Sequence, residues 1–286
     1  TAKKKVVGLK QTRRAVAEGL AERVYVALDA DPLLTEPLMQ LCREAGVCIT
    51  EVRTMKELGR ACAIAVGTAA VRRAKNQRSF LDEIQVACNI TIRVLTEEEE
   101  AILVYRGVIN SMDVPKGIIL EIGGGSTKII HYNRRYLLNY AVLPFGAVTL
   151  TDMFAGDATP EESAKHVEEF FTEQLKKIEW LADVDAETQM IGVGGSFRNL
   201  FKITKLVRKY PMDTVHNYRM ATQDFDGIYD MLRVLDVDKR KKIKGLSPKR
   251  ADIMPAAMAI VKSFVSYMNI ETFAISGNGR REGLMI

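Results

Sequence analysis

Three consecutive glycines, Gly123, Gly124 and Gly125, break the chain between two apolar runs, and two hydroxyl residues, Ser126 and Thr127, follow at once. Glycine takes positive φ freely and has no Cβ, so backbone N–H groups there can converge on an anion while the hydroxyls add donors. That is the chemistry of a phosphate cradle. Three glycines alone suit an ordinary hairpin better, but Glu121 stands just ahead of them. Magnesium carried by a phosphate chain takes an oxygen ligand of that kind, directly or through water. Gly192, Gly194, Gly195 and Ser196 repeat the pattern further along the chain. Beyond that second turn Phe197, Leu200 and Phe201 keep a helical period, so a helix N-terminus with free N–H groups would face the same anion. The two clusters predict two faces of one phosphate-binding cleft.

The elements that must hold these residues can be read from periodicity. Gly117 to Ile122 is too short for a helix and dense in isoleucine, which predicts a strand, a tight turn and a second strand. Upstream, residues 4–67 alternate short apolar runs (VVGL, RVYVALD, VCITEV) with helical patterns (TRRAVAEGL, a segment led by Pro32, MKELGRAC), which predicts a small α/β/α sandwich. A helical segment from Arg72 to Ala87 precedes a strand at Ile90 to Val94 and an acidic run, Glu97 to Glu100, that opens a further helix. Acids there compensate the helix dipole, which suffices to explain Glu97 and Glu98. Glu161 to Ala182 reads as an amphipathic helix with His166 on its surface. His216 lies in a basic, aromatic segment that fits either a phosphate contact or a plain surface loop. Met190, Met212, Met220, Met254 and Met258 read as packing residues.

At 286 residues, 47% hydrophobic and 27% charged, the chain has the composition and length of two domains or a bilobal one. The net charge of +5 is mild, but basic residues crowd two stretches, one from Lys3 to Arg14 and the other from Lys239 to Arg250. No apolar run is long enough for a membrane helix and none follows TAKKK, so a soluble, cytoplasmic protein is expected. Cys42, Cys48, Cys62 and Cys88 lack CxxC spacing, which favours buried free thiols over zinc or disulfides.

Seven blocks in order, AVGTAAVRRAKNQRSFLDEI, LTEEEEAILVYRGV, LEIGGGSTKII, PFGAVTLTDMF, IGVGGSFRNL, GLSPKRADIMPAAMAIV and SGNGRREGLMI, run from about Ala65 to Ile286. Together they resemble the exopolyphosphatase and guanosine pentaphosphate phosphatase (Ppx/GppA) family. The resemblance implies an actin/hexokinase/heat-shock-ATPase-like bilobal domain over residues 68–286, incomplete because its first strands and first phosphate loop are missing. It implies Glu100 as the general base for water, Glu121 as a ligand of Mg2+, and polyphosphate or guanosine pentaphosphate as substrate. The phosphate-binding set would be Gly123, Gly124, Gly125, Ser126, Thr127, Gly192, Gly194, Gly195, Ser196 and Arg250, with Arg198, Asp252, Arg281 and Glu282 nearby. A homodimer is one expectation for its assembly. Two positions depart from the family's DIGGGSTE: Glu121 is one methylene longer than aspartate, and Lys128 reverses the sign of a carboxylate, so that it could help hold a phosphate chain or displace magnesium.

Residues 1–67 carry a different resemblance. VVGLKQTRRAVAEG, VYVALDADP and TMKELGRACAIAVGTAAV are similar to the kink-turn-binding ribosomal protein family (the L-seven-Ae family). This implies contact with kink-turn RNA, with Gly8 allowing close approach, Lys10 and Gln11 reaching bases or phosphates, and Arg14 adding a cation, in a salt-sensitive manner. Ala63 stands where that family has glycine in its second loop. The alternative is a solvated basic edge. For the whole chain the two functions in view are a phosphoanhydride hydrolase and an RNA-binding protein with a phosphate-binding remnant. The basic segment 239–250 has few acids near it, which suggests that Lys241, Lys242, Lys244 and Arg250 extend a phosphate track; a solvated helix end fits almost as well.

Overall fold

The structure is a computed structural model and describes residues 6–62, 64–156 and 158–286. Lys3 to Lys5 of the basic first stretch, and Ala63, lie outside the described residues. The chain divides into two compact units, residues 1–67 with 74–94, and residues 68–73 with 95–286.

The first unit holds α1 (Leu9–Ala17), β1 (Arg23–Ala27), α2 (Pro32–Glu44), β2 (Cys48–Val52), α3 (Met55–Cys62) and β3 (Ala65–Gly67). After α4 (Ala69–Arg73), which belongs to the second unit, the chain adds α5 (Gln77–Cys88) and β4 (Ile92–Val94) to the first. The strands pair in parallel as β1–β2 and β3–β4. Val16, Val24, Val26, Leu38 and Cys42 form its small core. Pro32 sets the first turn of α2, and the Asp31 carboxylate accepts the Leu33 N–H at 3.0 Å, the usual cap for an otherwise unpaired donor. Of the cysteines expected to be buried, Cys42 is, but Cys48 and Cys88 are exposed: Cys48 starts an edge strand, and α5 buries none of its residues.

The second unit continues with α6 (Glu97–Ile109), β5 (Lys116–Ile122), β6 (Thr127–Asn133), β7 (Tyr136–Leu143), α7 (Ala147–Met153), α8 (Pro160–Lys176), β8 (Gln189–Val193), α9 (Gly195–Val207), β9 (Tyr218–Ala221), α10 (Thr222–Val234), α11 (Val237–Lys241), α12 (Met254–Tyr267), β10 (Thr272–Ser276) and α13 (Arg280–Leu284). Six strands make one sheet in the order β7-β6-β5-β8-β10-β9. β5, β6 and β7 form an antiparallel meander, β8 and β10 extend it in parallel, and β9 closes the edge antiparallel to β10. Apart from Glu121, the IILEI run of β5 is apolar on both faces because both are covered. Ile118, Leu120 and Ile122 pack into the core that includes Phe171, Phe197 and most of α12, and Ile119 packs with Ile130, Val104 and Val108 on the other side. Each such isoleucine contributes about 1.5–3 kcal/mol on burial. Met190, Met220, Met254 and Met258 are core residues as expected, whereas Met212 is exposed.

Two local devices place the later chemistry. Thr96 caps α6: its hydroxyl accepts the Glu99 N–H at 3.1 Å while the Glu99 carboxylate accepts the Thr96 N–H at 2.9 Å, a capping box that fixes the rotation of the first turn. β5, β8 and β10 lie side by side and parallel, and each ends in a glycine-bearing loop, at Gly123, Gly194 and Gly277. In α/β sheets a ligand crevice lies outside the carboxyl ends of such strands.

Candidate active site

Glu100 is the fourth residue of α6, and the capped first turn carries it inward until its side chain is fully buried. Three cations surround it. Arg72 Nη1 donates to Glu100 Oε1 at 2.6 Å and to the Leu95 carbonyl at 2.7 Å, Lys128 Nζ lies 3.2 Å from Glu100 Oε2, and Arg280 donates to the same oxygen. Burial opposes ionisation of Glu100. The attraction of Lys128, the Arg72 hydrogen bond and the Arg280 charge together outweigh it and hold the carboxyl below the usual carboxylate range. Glu121 is the second buried carboxylate. The β5–β6 register sets it directly opposite Lys128, whose ammonium donates to Glu121 Oε2 at 2.9 Å and to Ser126 Oγ at 3.1 Å. Arg280 Nη2 reaches Glu121 Oε1 at 3.3 Å. Glu97, one turn out, does more than compensate the dipole: Arg72 and Arg73 each pair with it at 3.2 Å.

A cavity of about 290 Å³ opens beside this cluster. Gly123 and Gly124 line it on one side, Gly194, Gly195 and Arg198 on another, and Arg250, Gly279, Arg280 and Arg281 on the rest. The two glycine loops therefore do face one cleft. Gly194 is the N-cap of α9 with φ of 113°, a backbone state that favours glycine, and Gly194 and Gly195 set the start of this 13-residue helix against the cavity. Ser196 Oγ and Arg198 Nε are buried and have no hydrogen-bond partner among the described residues. No ion pair joins Arg198, Arg250 or Arg281 to a carboxylate among the described residues, so the cleft presents unneutralised positive charge.

Several expected site residues do other work. None of Gly123, Gly124 and Gly125 has positive φ. A Cβ on Gly123 would lie 2.9 Å from the Ser126 carbonyl of the same turn, one on Gly124 3.4 Å from the Val148 side chain, and one on Gly125 no nearer than 3.8 Å to the Ala69 side chain. The Ala147 and Val148 N–H groups donate to the Gly123 and Gly124 carbonyls at 2.9 Å each, and it is Gly146 whose Cβ would sit 2.5 Å from those oxygens. Gly125 does not line the cavity, and its carbonyl accepts from Arg73 at 3.1 Å. The Thr127 hydroxyl is spent on the Phe145 carbonyl at 2.8 Å, and Ser126 receives the Lys128 ammonium. Gly192 lies inside β8, where a Cβ would meet the Phe197 ring at 2.3 Å, so it is a packing glycine. His216 is not free for a phosphate: Nδ1 accepts the Gly277 N–H at 3.2 Å, which leaves Nε2–H to donate to the Ser111 carbonyl at 2.8 Å. In the basic segment, Lys239 pairs with Asp236 at 3.0 Å and Lys241 with Asp238 at 2.9 Å. Each acid precedes its lysine by three positions on the same helical turn, which neutralises lysines that look unmatched in the sequence. Arg240 is buried and donates to the Leu235 and Ala251 carbonyls. Arg250 alone of the expected track residues lines the cleft.

Arg72 and Arg280 were not singled out by sequence reasoning, which took Arg281 and Glu282 from the last block. Glu282 instead caps its own helix, accepting the Gly279 N–H at 2.8 Å. What turns Arg280 inward is a glycine contact between helices: a Cβ on Gly107 of α6 would lie 2.1 Å from the Gly279 carbonyl, and one on Gly283 of α13 would lie 1.8 Å from the Leu103 carbonyl.

The residues present do not fit a magnesium ion between Glu100 and Glu121. Magnesium needs close octahedral oxygen ligation at about 2.0–2.1 Å, whereas the oxygens of both carboxylates already bind three cationic side chains. Among the described residues no group of three potential ligands is assembled. Glu121 is thus an ion-pair partner of Lys128 and Arg280 rather than a preformed metal ligand.

Fold and site together define an α/β protein with an arginine-lined cleft at the carboxyl ends of parallel strands. The chain belongs to the Ppx/GppA phosphatase family, which matches residues 38–286. It is similar to a bifunctional 3-dehydroquinate synthase/phosphatase of Fusobacterium nucleatum, 24% identical over 230 residues. That match takes in 78% of this chain and 34% of the relative, so the chain spans about a third of that protein's length. An exopolyphosphatase from Cytophaga hutchinsonii is 24% identical, with a TM-score of 0.72, covering 87% of this chain and 78% of that one. The Aquifex aeolicus member of the Ppx/GppA family is 22% identical, with a TM-score of 0.65, covering 97% of this chain and 79% of that one. These likenesses establish a mixed α/β fold of the Ppx/GppA kind. The family match begins at position 38, ahead of the expected start near Ala65, and these comparisons lend no support to a kink-turn module. No helix among the described residues is long and apolar enough to cross a membrane.

Proposed function

We propose that the second unit is a phosphatase that removes the terminal phosphoryl group from a phosphoanhydride chain, with polyphosphate or guanosine pentaphosphate as the substrate class. Family membership supports the reaction class, and the exopolyphosphatase among the similar structures supports the substrate class. The observation that carries the reading is the set of arginines, Arg198, Arg250 and Arg281, lining one cavity with Gly194, Gly195 and the start of α9. Arginine forks and helix N–H groups together suit the oxygens of a phosphate chain.

In this reading the terminal phosphate lies against the α9 N-terminus, and Glu100 orients the attacking water. The water oxygen forms a bond to the terminal phosphorus, the bridging P–O bond breaks, and its electron pair leaves with the shortened chain. The protons of water pass to Glu100 and to the released phosphates. A carboxyl held below the usual range is a weak base, but the loose transition state of phosphoryl transfer depends more on positioning and charge than on deprotonation. A bound chain offers Arg280 a second anion, and as Arg280 turns to it one Glu100 oxygen becomes open to water. Phosphate release from long-chain polyphosphate and from guanosine pentaphosphate by wild type and Arg250→Ala tests this. A loss of at least about tenfold in kcat/KM for the variant is expected from removing a charge-assisted contact. Equal rates would move the chain out of this cleft.

A second reading, kink-turn RNA binding by the first unit, rests on one local observation. Gly8 has φ of 99° at the N-cap of α1, and Lys10 and Gln11 are exposed on the turn that follows, while Arg14 is engaged with Glu18 at 2.7 Å. Binding of a kink-turn RNA should weaken with salt at a slope of about minus two to three for roughly three phosphate contacts. Equal affinity for a straight duplex would rule this reading out.

A further inference from the structure

The buried cluster behind the cleft holds an unusual charge. Lys128 is 1% exposed, and a lone ammonium in that position would be too costly to keep. It is held because it bridges the two carboxylates, at 2.9 Å from Glu121 and 3.2 Å from Glu100, with Ser126 Oγ as its third partner at 3.1 Å. An ammonium has three donors and no acceptor, and all three are used.

We propose that the Lys128 ammonium is the resident cation of this cleft, occupying the place between Glu100 and Glu121 that a divalent metal would need, so that the cleft takes a phosphate chain without a bound metal ion. A metal ion entering between these carboxylates would meet the ammonium within hydrogen-bonding distance of the same oxygens, where like charges repel strongly at low local dielectric. Two carboxylates against Lys128, Arg72 and Arg280 leave the cluster positive by one, so an incoming polyanion is attracted rather than repelled. Replacing the lysine with glutamate would reverse this, giving three carboxylates against two arginines and a set of oxygens that hard cations prefer. The exclusion of metal stands on the cluster alone; the consequence for phosphate chains rests on the function proposed above.

Two measurements on the full chain separate the two. Manganese uptake, read from the loss of the free Mn2+ resonance with no phosphate present, should be negligible in wild type and approach one equivalent in Lys128→Glu. Stoichiometric uptake by wild type that is abolished in Glu121→Gln would overturn the proposal, whatever the lysine variants do. Equilibrium binding of long-chain polyphosphate in EDTA should be as tight as in magnesium for wild type. In Lys128→Met, which keeps the volume of the side chain, it should fall at least about tenfold and be restored in part by magnesium. Wild-type binding that requires magnesium would also overturn the proposal. Failure of polyphosphate to bind under either condition would count against the proposed function and leave the manganese result to decide the role of Lys128.

Discussion

Glu100 carries more electrostatic weight than any other side chain of the cleft, because Arg72, Lys128 and Arg280 all converge on it. Removing one partner of such a buried network leaves the others uncompensated, and Glu100→Gln should lose about 3 kcal/mol of stability in urea unfolding. The pH dependence has a definite sign. The folded pKa of Glu100 lies below its ordinary value, so its contribution is complete above the unfolded value of about 4.3 and is lost as pH falls through the folded one. Wild-type stability should therefore drop steeply below about pH 4.3, and the Glu100→Gln curve should be flatter there; parallel curves would show that another group sets the acid limb. At this scale the sequence was partly legible. The Glu121–Lys128 pair follows from the β5–β6 register, whereas the position of Glu100 could be read from the motif. Arg280 could not, because its inward direction depends on how α13 meets α6.

Glycines decide how the elements approach. Gly283→Ala would place a methyl group 1.8 Å from the Leu103 carbonyl, so α13 must move away from α6 and take Arg280 with it. A stability loss of about 1–3 kcal/mol is expected, together with weaker phosphate-chain binding. Gly195→Ala should behave differently: the nearest atoms to its Cβ belong to the flexible guanidinium of Arg250, at 2.3 Å. Binding should fall while the urea midpoint changes little, and a large loss of stability with unchanged binding would contradict this. The two glycine loops announced themselves in the sequence because each follows an apolar strand. The third, Gly277 to Gly279, follows the apolar strand β10 as well, and only the parallel pairing of β10 with β8 brings it to the same end of the sheet. Positive φ occurs at Gly194 but not at Gly123 to Gly125, where the Ser126 carbonyl of the same turn crowds Gly123 and Gly125 has room for a Cβ.

At the scale of the whole molecule, the α/β class was legible throughout, and the family was legible from about Ala65 onward. The segment before it was harder because short strands alternating with amphipathic helices satisfy many α/β sequences; periodicity identifies such elements without identifying their lineage. In the proposed function the second unit hydrolyses a phosphoanhydride chain with Glu100 placing the water. Phosphate release from long-chain polyphosphate, measured for wild type and for Glu100→Gln at a temperature where both are folded, tests it most directly. Turnover by wild type and a rate at least about a hundredfold lower in the variant are expected, a size in keeping with loss of the carboxylate that positions the water and takes its proton. Equal rates in the two proteins would contradict it.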